Sequence, residues 1–466
     1  MIGRLALRSL TAHPVRSAVL AAGFGVGVAV MAILLGVAQI VLEQARAPAL
    51  VGGGDVVIRL ASQVPARLLL SGTLQADVLR ERVRVAAPAH NERVYLIHNG
   101  RSTQVRARGG IPSLERALGD REVSGLEGWR DTAADMLWTE DTPEDVLRYI
   151  DRFHPVPDVP AWASSWAEWL YFNGRAADAR FYLTFLVGPA LEDGRRSAGV
   201  RLQLDRDGRI ENFTSSATLT EADALRAPDL TIGASHVRLV GLEYRIHLDL
   251  PGRTGRRVTG DLSIAASPGQ VLPPLQINGV RGWRTGYVVP VMSGRLDGEL
   301  QVAGERVSLD GGTGYHDHNW GFWEGVSWQW GQVQHEDISF IYGRIFPPAE
   351  AADRERMPGF VGAIGTDGPL GYATNVTITE SNDHTGRPRR IDVRARGTAL
   401  ELQFQFDVGS AITTRMAQPP LNSGLDFLQM RGQYSVTGRA GAREIRFTAP
   451  GSAETFRGDV TPVAPR

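Results

Sequence analysis

The residues best suited to chemistry stand together in one stretch, Gly312-Thr313-Gly314-Tyr315-His316-Asp317-His318-Asn319-Trp320-Gly321, followed by Trp323 and then Trp328-Gln329-Trp330-Gly331. Four of the chain's ten tryptophans fall between residues 320 and 330. In an extended strand, alternation sends His316, His318 and Trp320 to one face and Tyr315, Asp317 and Asn319 to the other. Trp328 and Trp330 likewise share a face. A bulky aromatic wall beside titratable groups is the composition of a small-molecule pocket. Three readings are open. His-x-His could supply two metal ligands, but a site needs a third, and neither His335 nor Asp337 stands at a diagnostic spacing, so no metal is expected. The residues could instead form a hydrogen-bonded core plug, with Asp317 orienting a histidine. Or they could form an acid–base site against an apolar pocket, with His or Asp moving protons and the indoles holding the substrate.

Composition narrows the field. The 466 residues allow two to four globular units, and 43% hydrophobic with 22% charged residues fits neither a disordered tail nor a polytopic carrier. Fifty basic side chains against fifty-one acidic ones leave a net charge of −1, which disfavours nucleic acid as a partner. Cysteine is absent, so disulfides, thiol nucleophiles, thiolate zinc sites and iron–sulfur clusters are excluded. Every basic residue is arginine, which removes Schiff-base lysines and the lysine of a phosphate-binding P-loop. No cofactor is expected.

The elements that must position these groups read as follows. Residues from Ser17 to Leu42 carry no charge, and a helix of that length could cross a ~30 Å hydrocarbon core. Arg4, Arg8 and Arg16 precede it, which predicts an uncleaved single-pass anchor in a bacterial inner membrane, N-terminus cytoplasmic and the remainder periplasmic. Gly23 and Gly27 would let another helix approach closely. Residues 48–160 form a small mixed α/β region and linker. Asn99-Gly100 closes a hairpin, Ile111-Pro112 opens a short helix ending at Gly119, and Thr142-Pro143 caps another. Val146, Tyr149, Ile150 and Phe153 mark the buried face of that second helix. From about residue 162 strands dominate, among them 179–187, 200–204, 237–250, 287–292, 327–334, 338–345, 373–379, 400–406 and 434–439. Leu400-Glu401-Leu402-Gln403-Phe404-Gln405-Phe406 alternates apolar and polar, as a half-buried antiparallel strand does. About 300 residues of strands exceed one sandwich, so two successive barrels or sandwiches are expected.

The Gly-Tyr-His-Asp-His-Asn-Trp-Gly run with its following Trp-x-Trp-Gly resembles the hallmark of the AttH/carotenoid 1,2-hydratase (hydroxyneurosporene synthase) family. Ala167-Glu168-Trp169-Leu170-Tyr171-Phe172-Asn173-Gly174 is similar to that family's Glu-Trp-Trp-Tyr segment, and Gly451-Ser452-Ala453-Glu454-Thr455-Phe456-Arg457-Gly458 to its closing strand. The resemblance spans about residues 162 to 460. It implies a mainly β fold of two lipocalin-like antiparallel barrels, here bounded as 161–310 and 311–466, after an anchor at 1–47 and the mixed region at 48–160. It also implies a hydrophobic ligand, lipid or terpenoid-like, held by Glu168, Trp169, Tyr171, Tyr315, Asn319, Trp320, Trp323, Trp328 and Trp330.

Relatives of this kind include hydratases that add water to a terminal carotenoid alkene. That chemistry needs an acid strong enough to protonate carbon, aromatic faces to hold the tertiary cation, and a base to activate water. Asp317 and His318 are the expected acid–base pair, with His316 and Tyr342 as further catalytic candidates. Because neighbours on a strand face opposite ways, Asp317 and His318 can meet one substrate only if Gly314 or Gly321 kinks the strand. The sequence departs from the hydratase pattern at Leu170, which replaces a tryptophan, and at Arg344, where the Tyr-x-Asp pattern would place an acid. Ligand binding is therefore expected ahead of a cofactor-free hydratase or isomerase activity. The first 55 residues resemble the leading helix of an FtsX/MacB-type ABC transporter permease, so such a permease is an expected partner.

Overall fold

The structure, a computed structural model, describes residues 82–457 with short gaps, the longest at 137–141 and 416–425, and isolated stretches before residue 82. The chain divides into two compact units, Met1–Glu140 and Asp141–Arg466.

The described part of the first unit is small. Strands β1 (Ala89–His98) and β2 (Arg101–Gly110) pair antiparallel with His98 opposite Arg101, as the expected hairpin requires; Asn99-Gly100 itself lies outside the described residues. A helix follows at Pro112–Ala117, with proline where the missing N–H costs nothing, and it stops short of Gly119 at φ +75°. The anchor expected over 17–42 is corrected. Among the described residues no helix is long and apolar enough to cross a membrane, which overturns the single-pass inner-membrane placement. Most of 17–42, and most of the segment resembling a permease, lies outside the described residues.

The second unit opens with a helix at Pro143–Ile150. Thr142 and Asp145 form a reciprocal capping box, the Asp145 N–H donating to Thr142 Oγ1 at 3.2 Å and the Thr142 N–H to Asp145 Oδ2 at 3.0 Å. Leu147 and Ile150 are buried, and the chain leaving this helix carries Asp151 and Phe153 inward.

Twelve strands then build the first large sheet. In chain order they are β3 (Trp166–Ala176), β4 (Ala179–Ala190), β5 (Arg196–Arg206), β6 (Arg209–Leu219), β7 (Thr231–Ile232) and β8 (Ser235–Val240). They continue as β9 (Glu243–Pro251), β10 (Arg257–Ala265), β11 (Leu272–Asn278), β12 (Arg284–Val302), β13 (Glu305–Ser308) and β14 (Gly312–Phe322). The sheet runs β6-β5-β4-β3-β14-β12-β10-β9-β8-β7, and a bridge between Phe213 and Gly252 draws β6 toward the far edge, so it curls into a nearly closed barrel.

Nine strands make the second sheet. They are β15 (Ser327–His335), β16 (Ile338–Phe346), β17 (Phe360–Gly365), β18 (Gly368–Ala373), β19 (Asn375–Asn382), β20 (Pro388–Arg396), β21 (Leu400–Arg415), β22 (Asp426–Ala440) and β23 (Arg443–Arg457). Their order is β18-β17-β16-β15-β23-β22-β21-β20-β19, again nearly closed. The alternation in β21 is obeyed, with Leu400, Leu402, Phe404 and Phe406 buried in this barrel's core. Burying each such side chain contributes about 1.5–3 kcal/mol.

Both sheets close in the same way, the last strand pairing with the first. Strand β14 inserts between β3 and β12, and β23 between β15 and β22. A division at residue 311 put the Gly312–Gly321 run at the head of the second barrel. Its hydrogen bonds place it in the first, whose closing strand it is.

Packing around β14 leaves no slack at one point. Gly286 of β12 lies opposite Trp320, and a Cβ at residue 286 would sit 2.0 Å from Trp320 Cε2. We expect Gly286→Ala to cost about 1–3 kcal/mol by overpacking. Urea denaturation should register the loss, and near-ultraviolet circular dichroism the displaced indole.

Candidate acid–base site

The register of β14 with β3 runs unbroken from Thr313 opposite Arg175 to Phe322 opposite Trp166. No kink turns the strand, so His318 and Asp317 stay on opposite faces and do not form the expected acid–base pair. Two separate clusters result.

The first cluster lies inside the first barrel. His316 and His318 are fully buried, as are Asp151 and Glu168. His316 Nε2 meets Asp151 Oδ2 at 2.8 Å, and its Nδ1 meets the Tyr171 carbonyl at 3.0 Å. Phe172 stacks on the His316 ring at a centroid distance of 4.1 Å. His318 Nε2 meets Glu168 Oε1 at 2.9 Å, and its Nδ1 stands 3.4 Å from Asp151 Oδ1. Glu168 also accepts from the His154 backbone N–H at 2.9 Å and lies 2.6 Å from His154 Nδ1. Trp320 covers the group, 4.7 Å from the His154 ring and 5.2 Å from that of His318.

Burial alone would lower the His318 pKa, but the hydrogen bonds to Asp151 and Glu168 and their charges raise it to about 9. Burial works against ionising Asp151 and Glu168, yet the facing histidines hold both below the usual carboxylate range. His154, Glu168 and His318 offer ligand atoms within 4.8 Å of one another. Both ring nitrogens point at the same Glu168 oxygen, as hydrogen-bond donors do, and the charges are already paired. The arrangement is that of a salt-bridged plug.

The second cluster occupies the seam where the two sheets pack together. From β14 it takes Tyr315, Asp317 and Asn319, from β3 Trp169 and Tyr171, and from β12 Tyr287. From the second sheet come Trp328 and Trp330 of β15, Gln429 of β22 and Glu454 of β23. Trp330 Nε1 donates to Tyr287 Oη at 3.0 Å, and the Tyr287 and Tyr315 hydroxyls lie 2.6 Å apart. Tyr315 Oη donates to Asp317 Oδ2 at 2.9 Å, and Asn319 Nδ2 to Asp317 Oδ1 at 2.7 Å. Tyr171 Oη donates to Glu454 Oε1 at 2.7 Å. Trp169, Trp323 and Trp328 pack tilted and edge-on along one side, and Phe456 stacks on Trp328 at 4.3 Å.

Burial pushes Asp317 well above the usual carboxylate range, and the charge of nearby Glu454 adds to it against the Tyr315 and Asn319 hydrogen bonds. Burial likewise raises Glu454 to about 7, opposed by Tyr171, Gln429 and the charge of Arg201. The seam therefore holds two buried carboxyl groups whose protonated forms are both favoured by burial, Glu454 up to about 7.

The expected site residues thus divide. Tyr315, Asp317, Asn319, Trp169, Tyr171, Trp328 and Trp330 meet in the seam. Trp323 joins the same tryptophan group and anchors its indole N–H on the Ala167 carbonyl at 2.9 Å. His316, His318, Trp320 and Glu168 face into the first barrel. Tyr342 lies in the second barrel's core, its hydroxyl 3.1 Å from that of Tyr434, and so belongs to neither cluster. Arg344 caps carbonyls of Arg354 and Glu355 at the rim. Sequence reasoning missed Asp151, His154, Tyr287 and Gln429, and did not count Glu454 as a site residue. Only Glu454 carried a signal, its place in the closing-strand segment.

A stability profile tests the plug. His318 has a raised folded-state pKa, so its contribution is full below the unfolded value of ~6.5 and is lost as pH rises through about 9. The lowered carboxylates contribute above ~4 and lose that contribution as pH falls. Denaturant unfolding should show greatest stability between these limits. Glu168→Gln should cost about 3–5 kcal/mol near neutrality, since it leaves buried His318 short of a counter-charge. An unchanged alkaline limb in Glu168→Gln would contradict the coupling.

No family model matches the chain, and no curated protein matches it. Among solved structures, the chain is similar to a protein of Nitrosomonas europaea described as an AttH candidate, at 14% identity over 65% of this chain and 99% of that one, with a TM-score of 0.43. It is also similar to CghA, at 12% identity over 69% of this chain and 96% of that one, with a TM-score of 0.38. A structure of CghA with Sch210972 matches at 13% identity over 68% and 95% of the two chains, with a TM-score of 0.36. An AttH-like structure thus stands among those similar to this chain, and AttH is the family whose motifs its sequence resembles.

Proposed function

We propose that the chain binds an apolar, alkene-bearing small molecule in the seam between its two barrels, and that Asp317 and Glu454 move protons on it, as a hydratase or isomerase does. One observation carries the reading. Two buried carboxyl groups lie in one aromatic seam between the sheets, and each is oriented by a tyrosine hydroxyl. Asp317, whose protonated form burial favours, donates its proton to an alkene carbon. Trp330, Tyr171 and Tyr315, packed edge-to-face on one another in the same seam, supply the aromatic surroundings for the cation that forms. Glu454, ionised in part near neutral pH, then accepts a proton, from water in a hydration or from the neighbouring carbon in an isomerisation. The acid–base partner of Asp317 in this reading is Glu454, in place of His318. A lipid or terpenoid carrier is the second reading. It is favoured by the tryptophan cluster of Trp169, Trp323 and Trp328, which offers apolar contact beyond what two carboxyls need.

Incubation with a linear polyprene in deuterated water, followed by mass spectrometry, separates the two. Proton transfer to carbon leaves deuterium in the recovered molecule, whereas a carrier returns it unlabelled. Asp317→Asn should keep binding, read by tryptophan fluorescence, and reduce labelling at least 100-fold, in line with typical general-acid contributions of ~10²–10⁴. The rate should rise as pH passes about 7, where Glu454 ionises, and that limb should vanish in Glu454→Gln.

A further inference from the structure

At the edge of the seam, beside Tyr315, lies a small cleft of about 40 Å³ lined largely by polar and cationic groups. Its walls include Arg175 of β3, Arg180 of β4, Asn173, Gln332 and Ser452. Arg175 and Arg180 are directly opposed across the β3–β4 ladder. Like charges so placed repel each other unless an anion lies between them. Among the described residues no carboxylate stands within ion-pair distance of either guanidinium. The nearest candidate by register is Asp205, opposite Arg180 on β5, and it is engaged by Arg431 of the second sheet. Arg180 reaches only Ser452 Oγ, at 3.5 Å. Burial, with Arg180 alongside, lowers the Arg175 pKa, as expected for a guanidinium short of a counter-charge.

The polar groups behind this pair point the same way. Asn173 and Gln203 lie in one cross-strand row with Tyr315 and Tyr182, on the face that carries Asp317. Gln203 is 1% exposed, yet neither of its amide atoms finds a protein partner, and neither does Asn173 Nδ2. Buried amides are normally satisfied, so the unpaired Asn173 Nδ2 in the cleft wall, two residues from Arg175, marks a place suited to a polar atom from outside the chain, with the unpaired Gln203 two positions along the same row.

We propose that this cleft receives the anionic end of an amphiphilic ligand, a long-chain carboxylic acid, with Arg175 and Arg180 gripping the carboxylate while the apolar chain enters the aromatic seam. The inference rests on the seam being the ligand site, and it adds the substrate class. Arginine suits the task because its planar fork matches a carboxylate bidentately and keeps its charge at every working pH.

The test compares hexadecanoate with hexadecanol, titrated against the full chain by tryptophan fluorescence and calorimetry. Wild type should bind the acid at least tenfold more tightly than the alcohol. Arg175→Gln/Arg180→Gln should abolish that preference and leave hexadecanol binding unchanged, and Arg175→Lys/Arg180→Lys should restore part of it. Removing two opposed like charges relieves repulsion, so the double variant should melt no lower than wild type. Equal affinity of wild type for both probes would overturn the anion site while leaving the seam standing. An acid preference that survives in the glutamine variant would overturn it too. Binding of neither probe would overturn both readings. Inorganic phosphate that competes as well as hexadecanoate does would reject the amphiphile in favour of a small anion.

Discussion

Alternation along β14 is the constraint on which everything else here depends. The strand is hydrogen-bonded on both sides, to β3 and to β12, and its ladder with β3 is unbroken. Successive side chains must therefore leave in opposite directions. His316, His318 and Trp320 are sent into the first barrel, where Asp151 and Glu168 receive them. Tyr315, Asp317 and Asn319 are sent into the seam, where the second sheet receives them. One short run of polar residues is thereby split between a salt-bridged cluster on one side and the seam between the sheets on the other.

The seam exists because both sheets close by the same device. In each, the final strand returns to pair with the first, and the two closing strands carry the two raised carboxyls, Asp317 on β14 and Glu454 on β23. Their acidity is set jointly. Neither carboxyl has an arginine within ion-pair distance among the described residues, and each accepts a tyrosine hydroxyl instead. A hydroxyl orients a carboxyl without forcing it to ionise, which is why burial prevails at both positions. The first-barrel cluster shows the opposite outcome. There the partners of Asp151 and Glu168 are histidines that can carry charge, and the carboxylates stay ionised.

Much of the fold was legible from local signals. Asn99-Gly100 marked its hairpin, Thr142-Pro143 its helix start, and the alternation from Leu400 to Phe406 its strand, because turn chemistry, capping and period-two burial act over a few residues. The opposed faces of β14 were legible for the same reason. What could not be read was which strand closes which sheet. That is a pairing over some 150 residues, and it moved the Gly312–Gly321 run from the second barrel to the first. The same long-range pairing hid Asp151 and His154, which lie in a linker with no motif about them, and the placing of Glu454 in the same seam as Asp317. Tyr342 failed as a site residue because its face of β16 is turned into the second barrel's core.

The two-faced use of β14 also bears on how such a chain can diverge. A substitution in this strand is judged by one face only, but an insertion or deletion of a single residue is judged by both. It would carry the imidazoles into the seam and the carboxyl into the plug, so no compensating change on either side could rescue it alone. Length variation is accordingly closed to this strand and left to the hairpin turns and the edge strands β6, β7, β18 and β19. Descendants of this fold can alter what the seam accepts, residue by residue, while the spacing of the closing strand stays fixed.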